Sequence, residues 1–167
     1  ENTAYIAMKF LRLGKDSYLE YQTVSLIGMC LNELHDYSNA IEFHNKALAI
    51  VEKNEIPVVY QRKASSYNNL GVVYTNLNNY TLAIKNFKNA LNEKHLKNDD
   101  PHLYAMVLDN LAHAKLKAED FSDLPELLFE ALNIRDSLNL TTGIIINKIH
   151  LSEFFEATKQ KDSALKY

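Results

Sequence analysis

Apolar residues recur along this chain at helical spacing. Val24, Ile27, Gly28 and Leu31 fall on one face of a helix, and Tyr67, Leu70, Gly71 and Tyr74 draw the same stripe further on. The surroundings of the two stripes also match. Ser25-Leu26-Ile27-Gly28-Met29-Cys30-Leu31 is followed by His35-Asp36-Tyr37-Ser38-Asn39-Ala40-Ile41 and then by Ala47-Leu48. Asn68-Asn69-Leu70-Gly71-Val72-Val73-Tyr74 is followed by Asn78-Asn79-Tyr80-Thr81-Leu82-Ala83-Ile84, Phe87 and Ala90-Leu91. A third copy runs from Asp109-Asn110-Leu111-Ala112 through Glu119 to Leu124 and Ala131-Leu132, and a fourth begins at His150 and stops at Ala164-Leu165-Lys166-Tyr167. Measured at Gly28, Gly71, Ala112 and Ser152, the copies lie 43, 41 and 40 residues apart.

A period near 40 residues predicts stacked helix hairpins, an all-α superhelix in which each unit completes the core of the next. Repeats are expected over about 17–55, 58–97 and 101–138, with a partial repeat over 141–167 and the second helix of a preceding repeat over about 1–13. The whole chain, 1–167, then forms one solenoid segment cut from a longer protein. Gly28, Gly71 and Ala112 let the second helix approach closely, and Ala40, Ala47, Ala83, Ala90 and Ala131 do the same from the opposing side. Helix starts are expected at a capping box of Ser17 with Glu20, at Asp36, at Asn79 and at Asp100-Pro101. Pro125 is tolerated only if its helix starts near Ser122 or Asp123.

Composition narrows the functional classes. With 18 basic and 21 acidic residues among 167, the chain has no field that would draw in nucleic acid, and none is expected as a partner. The longest purely aliphatic stretch, Ala47 to Val51, like the run Ile144 to Ile146, is far short of the roughly 20 residues of a bilayer span, so no membrane contact by this segment is expected. The single cysteine, Cys30, excludes an internal disulfide; in an apolar helix it is read as a small hydrophobe. No two of the six histidines stand at i, i+4, and the sequence contains no phosphate loop, nucleophile elbow or paired carboxylates in a defined setting. Neither metal, cofactor nor catalytic residue is assigned. His35 and His44 are read as hairpin residues, and His95 and His102 as solvated residues beside a linker.

The Leu-Gly pair, first-helix aromatic, mid-repeat Ala, aromatic and later Ala resemble the tetratricopeptide repeat. The second copy, with Tyr67, Leu70, Gly71, Tyr74, Tyr80, Ala83, Phe87 and Ala90, follows that pattern; the first has His44 where Phe87 stands. The third carries Lys115 in place of the first-helix aromatic and Leu124 in place of the mid-repeat Ala, and the fourth has Ser152 for Gly. The period resembles the longer repeats of kinesin light chains and bacterial regulators. The resemblance implies a groove lined by first helices that binds a protein or peptide segment. Its positions are Gln22, Ser25, Met29, Asn32 and Glu33; Ser65, Asn68, Asn69, Val72 and Asn76; Met106, Asp109, Asn110, His113 and Lys117; and His150, Glu153 and Glu156.

Asn69 and Asn110 occupy equivalent positions, and their amides either grip a peptide backbone or bond within the solenoid. The cationic clamp that holds acidic chaperone tails is missing, because its positions are Ser25, Met29, Met106 and Asn110. His113 and His150 are placed to face one another near Asp109 and Glu153, where a pH-sensitive cluster could form.

In its Asn-rich, Lys-rich style the chain resembles the input arrays of two-component sensor histidine kinases and of transcriptional regulators. A sensory or docking module is the first expectation. A cytoplasmic peptide-responsive regulator domain and a spacer or homo-oligomerising solenoid are the rivals. The compartment follows the parent, periplasmic for a membrane sensor kinase and cytoplasmic otherwise.

Overall fold

The computed structural model describes residues 16–53 and 59–167; the expected half repeat over 1–13 lies outside them. The described residues are helical, with no strand. In chain order the helices are α1 (Ser17–Glu33), α2 (Tyr37–Lys53), α3 (Val59–Asn76), α4 (Tyr80–Leu91), a short α5 (Leu96–Asp99), α6 (Pro101–Lys117), α7 (Leu124–Ser137), α8 (Thr141–Ala157) and the short α9 (Lys161–Ala164).

Side chains cap the starts of four of these helices. Asp16 caps α1, accepting from the backbone N–H groups of Tyr18 and Leu19, each at 3.0 Å. This corrects the expected capping box: Ser17 is the first helical residue because the carboxylate before it already takes two of the unpaired first-turn donors. Asp36 accepts from Asn39 at α2, Asn79 from Leu82 at α4, and Asp100 from Leu103 at 2.9 Å before Pro101. Helix α7 starts at Leu124, which leaves Pro125 in the first turn, where its missing N–H costs no helical bond.

Five helices end in the same way without a glycine. His35, Asn78, Glu119, Asn139 and Lys159 each have a φ between 55° and 62°, in the left-handed region. The following N–H reaches back five residues each time, as from Asp36 to the Leu31 carbonyl at 2.9 Å and from Asp120 to that of Lys115 at 2.9 Å. That closing bond ties up a helix-end carbonyl and fixes the reversal between helices.

The reversal folds α1 on α2, α3 on α4 and α6 on α7, and each second helix packs on the next first helix. Close approach depends on glycine at two crossings. A Cβ at Gly28 would lie 2.7 Å from the His44 ring, and one at Gly71 would lie 2.5 Å from the Phe87 ring. Ala40, Ala47, Ala83, Ala90 and Ala131 are fully buried. One apolar cluster draws Ala64 from α3, Phe87 from α4, Leu96 from α5 and Val107 from α6. Another joins Ala112, Leu128 and Leu151 across α6, α7 and α8. The cores therefore bridge hairpins, so the stack rather than the single pair is the unit that hides apolar surface. The stretch expected to be a plain linker contributes to this, since α5 buries Leu96.

Candidate functional site

The first helices of successive hairpins also touch, α1 with α3, α3 with α6 and α6 with α8. Between α1, α3 and α6 lies a cavity of about 250 Å³. Met29, Asn32 and Glu33 line it from α1, Asn68, Asn69, Val72 and Val73 from α3, Met106 and Asn110 from α6, and His44 from α2. A second cavity, of about 520 Å³, shares Met106 and Asn110 with the first and continues along α6 to His102, Arg135, Gly143 and Ile146.

Amides bridge the helices around the first cavity. Asn76 Nδ2 donates to Asn32 Oδ1 at 2.9 Å, and Asn110 Nδ2 donates to Asn68 Oδ1 at 2.9 Å. Of the two equivalent asparagines, Asn110 is thus engaged inside the solenoid. Asn69 is half-buried on the cavity wall, and its side-chain amide has no hydrogen-bond partner among the described residues. Gln22 is exposed and donates to the Tyr18 hydroxyl at 3.0 Å; Ser25 is buried and Ser65 half-buried, and none of these three lines the cavities.

Beneath this cavity lies His44, 1% exposed, with its Nδ1 unpartnered. Burial lowers its pKa to about 4, so the ring is neutral at neutral pH. The sequence shows the signal, a histidine in the place of Phe87, but reading it as a hairpin residue missed its position on the cavity floor.

The carboxy-terminal half is built differently. Asp109, placed by the sequence in the groove, is 1% exposed and fully engaged. Its Oδ2 accepts from Arg135 Nη1 at 2.9 Å, and its Oδ1 accepts from Asn147 Nδ2 and His150 Nδ1, each at 2.9 Å. Arg135 Nη1 also donates to the Gly143 carbonyl at 2.8 Å. Burial pushes the Asp109 carboxyl up, but the His150 hydrogen bond and charge, the Arg135 charge and the Asn147 amide outweigh it and hold the group below its usual range. Neither Arg135 nor Asn147 was a sequence candidate, because they stand outside the groove positions of the repeat.

His113 stacks on His150, with ring centroids 4.7 Å apart and planes 6° from parallel. Burial, helped by His150 and Lys117 against Glu153 and Asp109, lowers the His113 pKa. Lys117 and Glu153 lie 3.8 Å apart at the edge of this group. Below it, Lys115 is buried and pairs with Asp120 at 3.1 Å and with Asp123, pinning the turn before α7. Thus the lysine at an aromatic position of the repeat is a polar staple.

Cys30 is exposed on α1, so the reading of it as a small hydrophobe of an apolar helix is corrected: its side chain is left open to solvent. Among the described residues no three or more His, Cys, Asp and Glu side chains are grouped to hold a metal ion. No helix among them is long and apolar enough to cross a membrane.

The arrangement is that of a helical-repeat solenoid, a class whose surfaces generally bind rather than catalyse. The tetratricopeptide repeat family model matches residues 64–94. A crystal structure of BtubC (BKLC) from P. vanneervenii has a similar fold, with a TM-score of 0.77 and 22% identity. That match covers 90% of this chain and 61% of that one, so the chain spans about three fifths of its structural neighbour. No curated protein matches the sequence. Residues 64–94 thus match a tetratricopeptide repeat, a module that generally mediates protein–protein binding, and the described residues share the fold of a helical-repeat superhelix.

Proposed function

We propose that the first helices hold an extended, uncharged segment of a partner protein, and that the solenoid is the docking or sensory part of a larger regulatory protein. One observation carries this reading: a cavity at the junction of three first helices, walled by amides and methionines and containing no lysine or arginine. An extended peptide needs donors and acceptors for its backbone and apolar room for its side chains, and Asn69 beside Met29, Val72 and Met106 supplies both. The test is selection of peptides from a displayed random library, followed by titration of Asn69→Ala. Loss of one hydrogen bond weakens binding up to about tenfold and leaves helicity unchanged. Equal binding by the variant removes Asn69 from the contact. Asn110→Ala is the less selective probe, because it also breaks the bond to Asn68.

For the parent protein, the Asn-rich and Lys-rich repeats of long period resemble the input arrays of two-component sensor histidine kinases, the first reading, and of cytoplasmic regulators, the alternative. Sequencing the gene on both sides tests this: a membrane span and kinase motifs support it, and a helix-turn-helix domain overturns it. A self-assembling solenoid is favoured by one feature, the exposed Ile145, Ile146 and Ile149 on α8. Light scattering across a concentration series separates that reading from the groove.

A further inference from the structure

The groove reading leaves open which residue of a bound segment would be selected, and the floor of the first cavity bears on that choice. A buried imidazole nitrogen without a partner costs free energy that a Phe in the same place would not. The repeat shows the apolar solution one unit later, where Phe87 packs against Gly71 as His44 packs against Gly28. Position 44 nevertheless carries a polar ring with its Nδ1 unsatisfied, at a cavity that also holds the unpartnered amide of Asn69.

We infer that His44 is the floor of a selectivity pocket for one neutral carboxamide side chain, Gln or Asn, of the segment held in the groove; this inference rests on the groove reading. Three observations select that chemistry. The groups free to bond, a neutral imidazole and the Asn69 amide, together donate and accept, and a carboxamide does both at once. A carboxylate would meet Glu33 and no cation among the lining residues, and a purely apolar side chain would leave His44 unpaired. At about 30 Å³ per water the 250 Å³ cavity holds the equivalent of about eight waters, room for one such side chain and its flanking backbone.

The experiment uses acetylated heptapeptides of Ser and Ala with a central Gln, Leu or Glu. Binding to this chain and to His44→Phe is measured by calorimetry, with ¹⁵N spectra of the histidine rings. Circular dichroism establishes that the variant folds. The expected result is at least tenfold tighter binding of the Gln peptide than of the Leu or Glu peptides, a shift of the His44 ring nitrogens with the Gln peptide alone, and loss of the preference in His44→Phe. Equal binding of all three peptides with unmoved His44 nitrogens overturns the pocket and leaves the groove standing. Failure of every heptapeptide, together with a display library that yields no binder, overturns the groove as well. The ring spectra of the unaltered chain decide the question even if His44→Phe does not fold.

Discussion

Two polar clusters join successive first helices, and they are built on opposite principles. The amino-terminal one, around His44, is bonded through amides: those of Asn32, Asn68, Asn76 and Asn110 bridge α1, α3 and α6, while the imidazole Nδ1 and the Asn69 side chain have no partner. The carboxy-terminal one, around Asp109, is charged, and both carboxylate oxygens are taken by Arg135, Asn147 and His150. The Asp109 carboxylate, with both oxygens taken, has little left for a ligand and acts on the stack, although Asn147 Oδ1 beside it has no partner; the unpaired His44 nitrogen costs stability that a bond would restore.

The largest expected effect breaks the charged cluster. Asp109→Ala leaves the Arg135 guanidinium buried at 5% exposure without its carboxylate, and about 3–5 kcal/mol of stability should be lost in urea unfolding. A loss below about 1 kcal/mol would mean that the network is not holding α6, α7 and α8 together.

Acid distinguishes the clusters by the pH at which each fails. His44 has a folded pKa of about 4 against 6.5 for the free group, so the unfolded chain binds the extra proton first. Its contribution is complete above pH 6.5 and is lost as pH falls toward 4, up to roughly 3 kcal/mol. The lowered pKa of His113 adds loss in the same direction, beginning below 6.5. The Asp109 carboxyl, held below 3.8, adds its own loss only under that value. Unfolding free energy measured from pH 7.5 to 4 should decline in the unaltered chain and decline less in His44→Phe. Superimposable profiles would contradict the buried neutral imidazole.

At neutral pH the same substitution reverses the sign seen at Asp109. His44→Phe replaces an unpaired buried nitrogen with the ring used at the equivalent Gly71 crossing, and a gain of about 1 kcal/mol is expected. Thermal unfolding at pH 7.5 checks this; a loss of similar size would show that His44 is already satisfied and would weaken the comparison.

The repeat and its glycine crossings were legible in the sequence because packing imposes them locally. Gly28 with His44 and Gly71 with Phe87 each lie 16 residues apart, a spacing that any hairpin of these helix lengths must keep. What the sequence hid was contact between units. Asp109 looks like a groove residue by position, yet its partners Arg135 and Asn147 come from α7 and α8 and have no repeat counterparts to announce them. Lys115 looked like a defect at an aromatic position until the turn brought Asp120 and Asp123 to it. Cys30 shows the limit of helical periodicity, since an apolar neighbourhood in sequence places a residue on a helix without saying which neighbour covers it. The left-handed closure of the helix ends was obscured for a different reason: such a residue is usually marked by Gly, and here five other residues take that conformation.

Those turns carry the smallest prediction and extend the comparison to the backbone. Asn78 closes α3 and Glu119 closes α6, with φ values of 56° each. Asn tolerates the left-handed region because its short polar side chain bonds locally, whereas the Cβ of Glu pays for it in steric strain. Asn78 Oδ1 indeed accepts from the Tyr80 hydroxyl at 2.9 Å, while the Glu119 side chain is exposed and has no hydrogen-bond partner among the described residues. Glu119→Gly should therefore stabilise by about 0.5 kcal/mol or somewhat more, the relief of strain exceeding the added freedom of the unfolded chain. Asn78→Gly should give little or nothing, since it exchanges a tolerated residue and a side-chain bond for that same freedom. Equal gains from the two substitutions in thermal unfolding would show that strain at these turns does not depend on the side chain each half supplies.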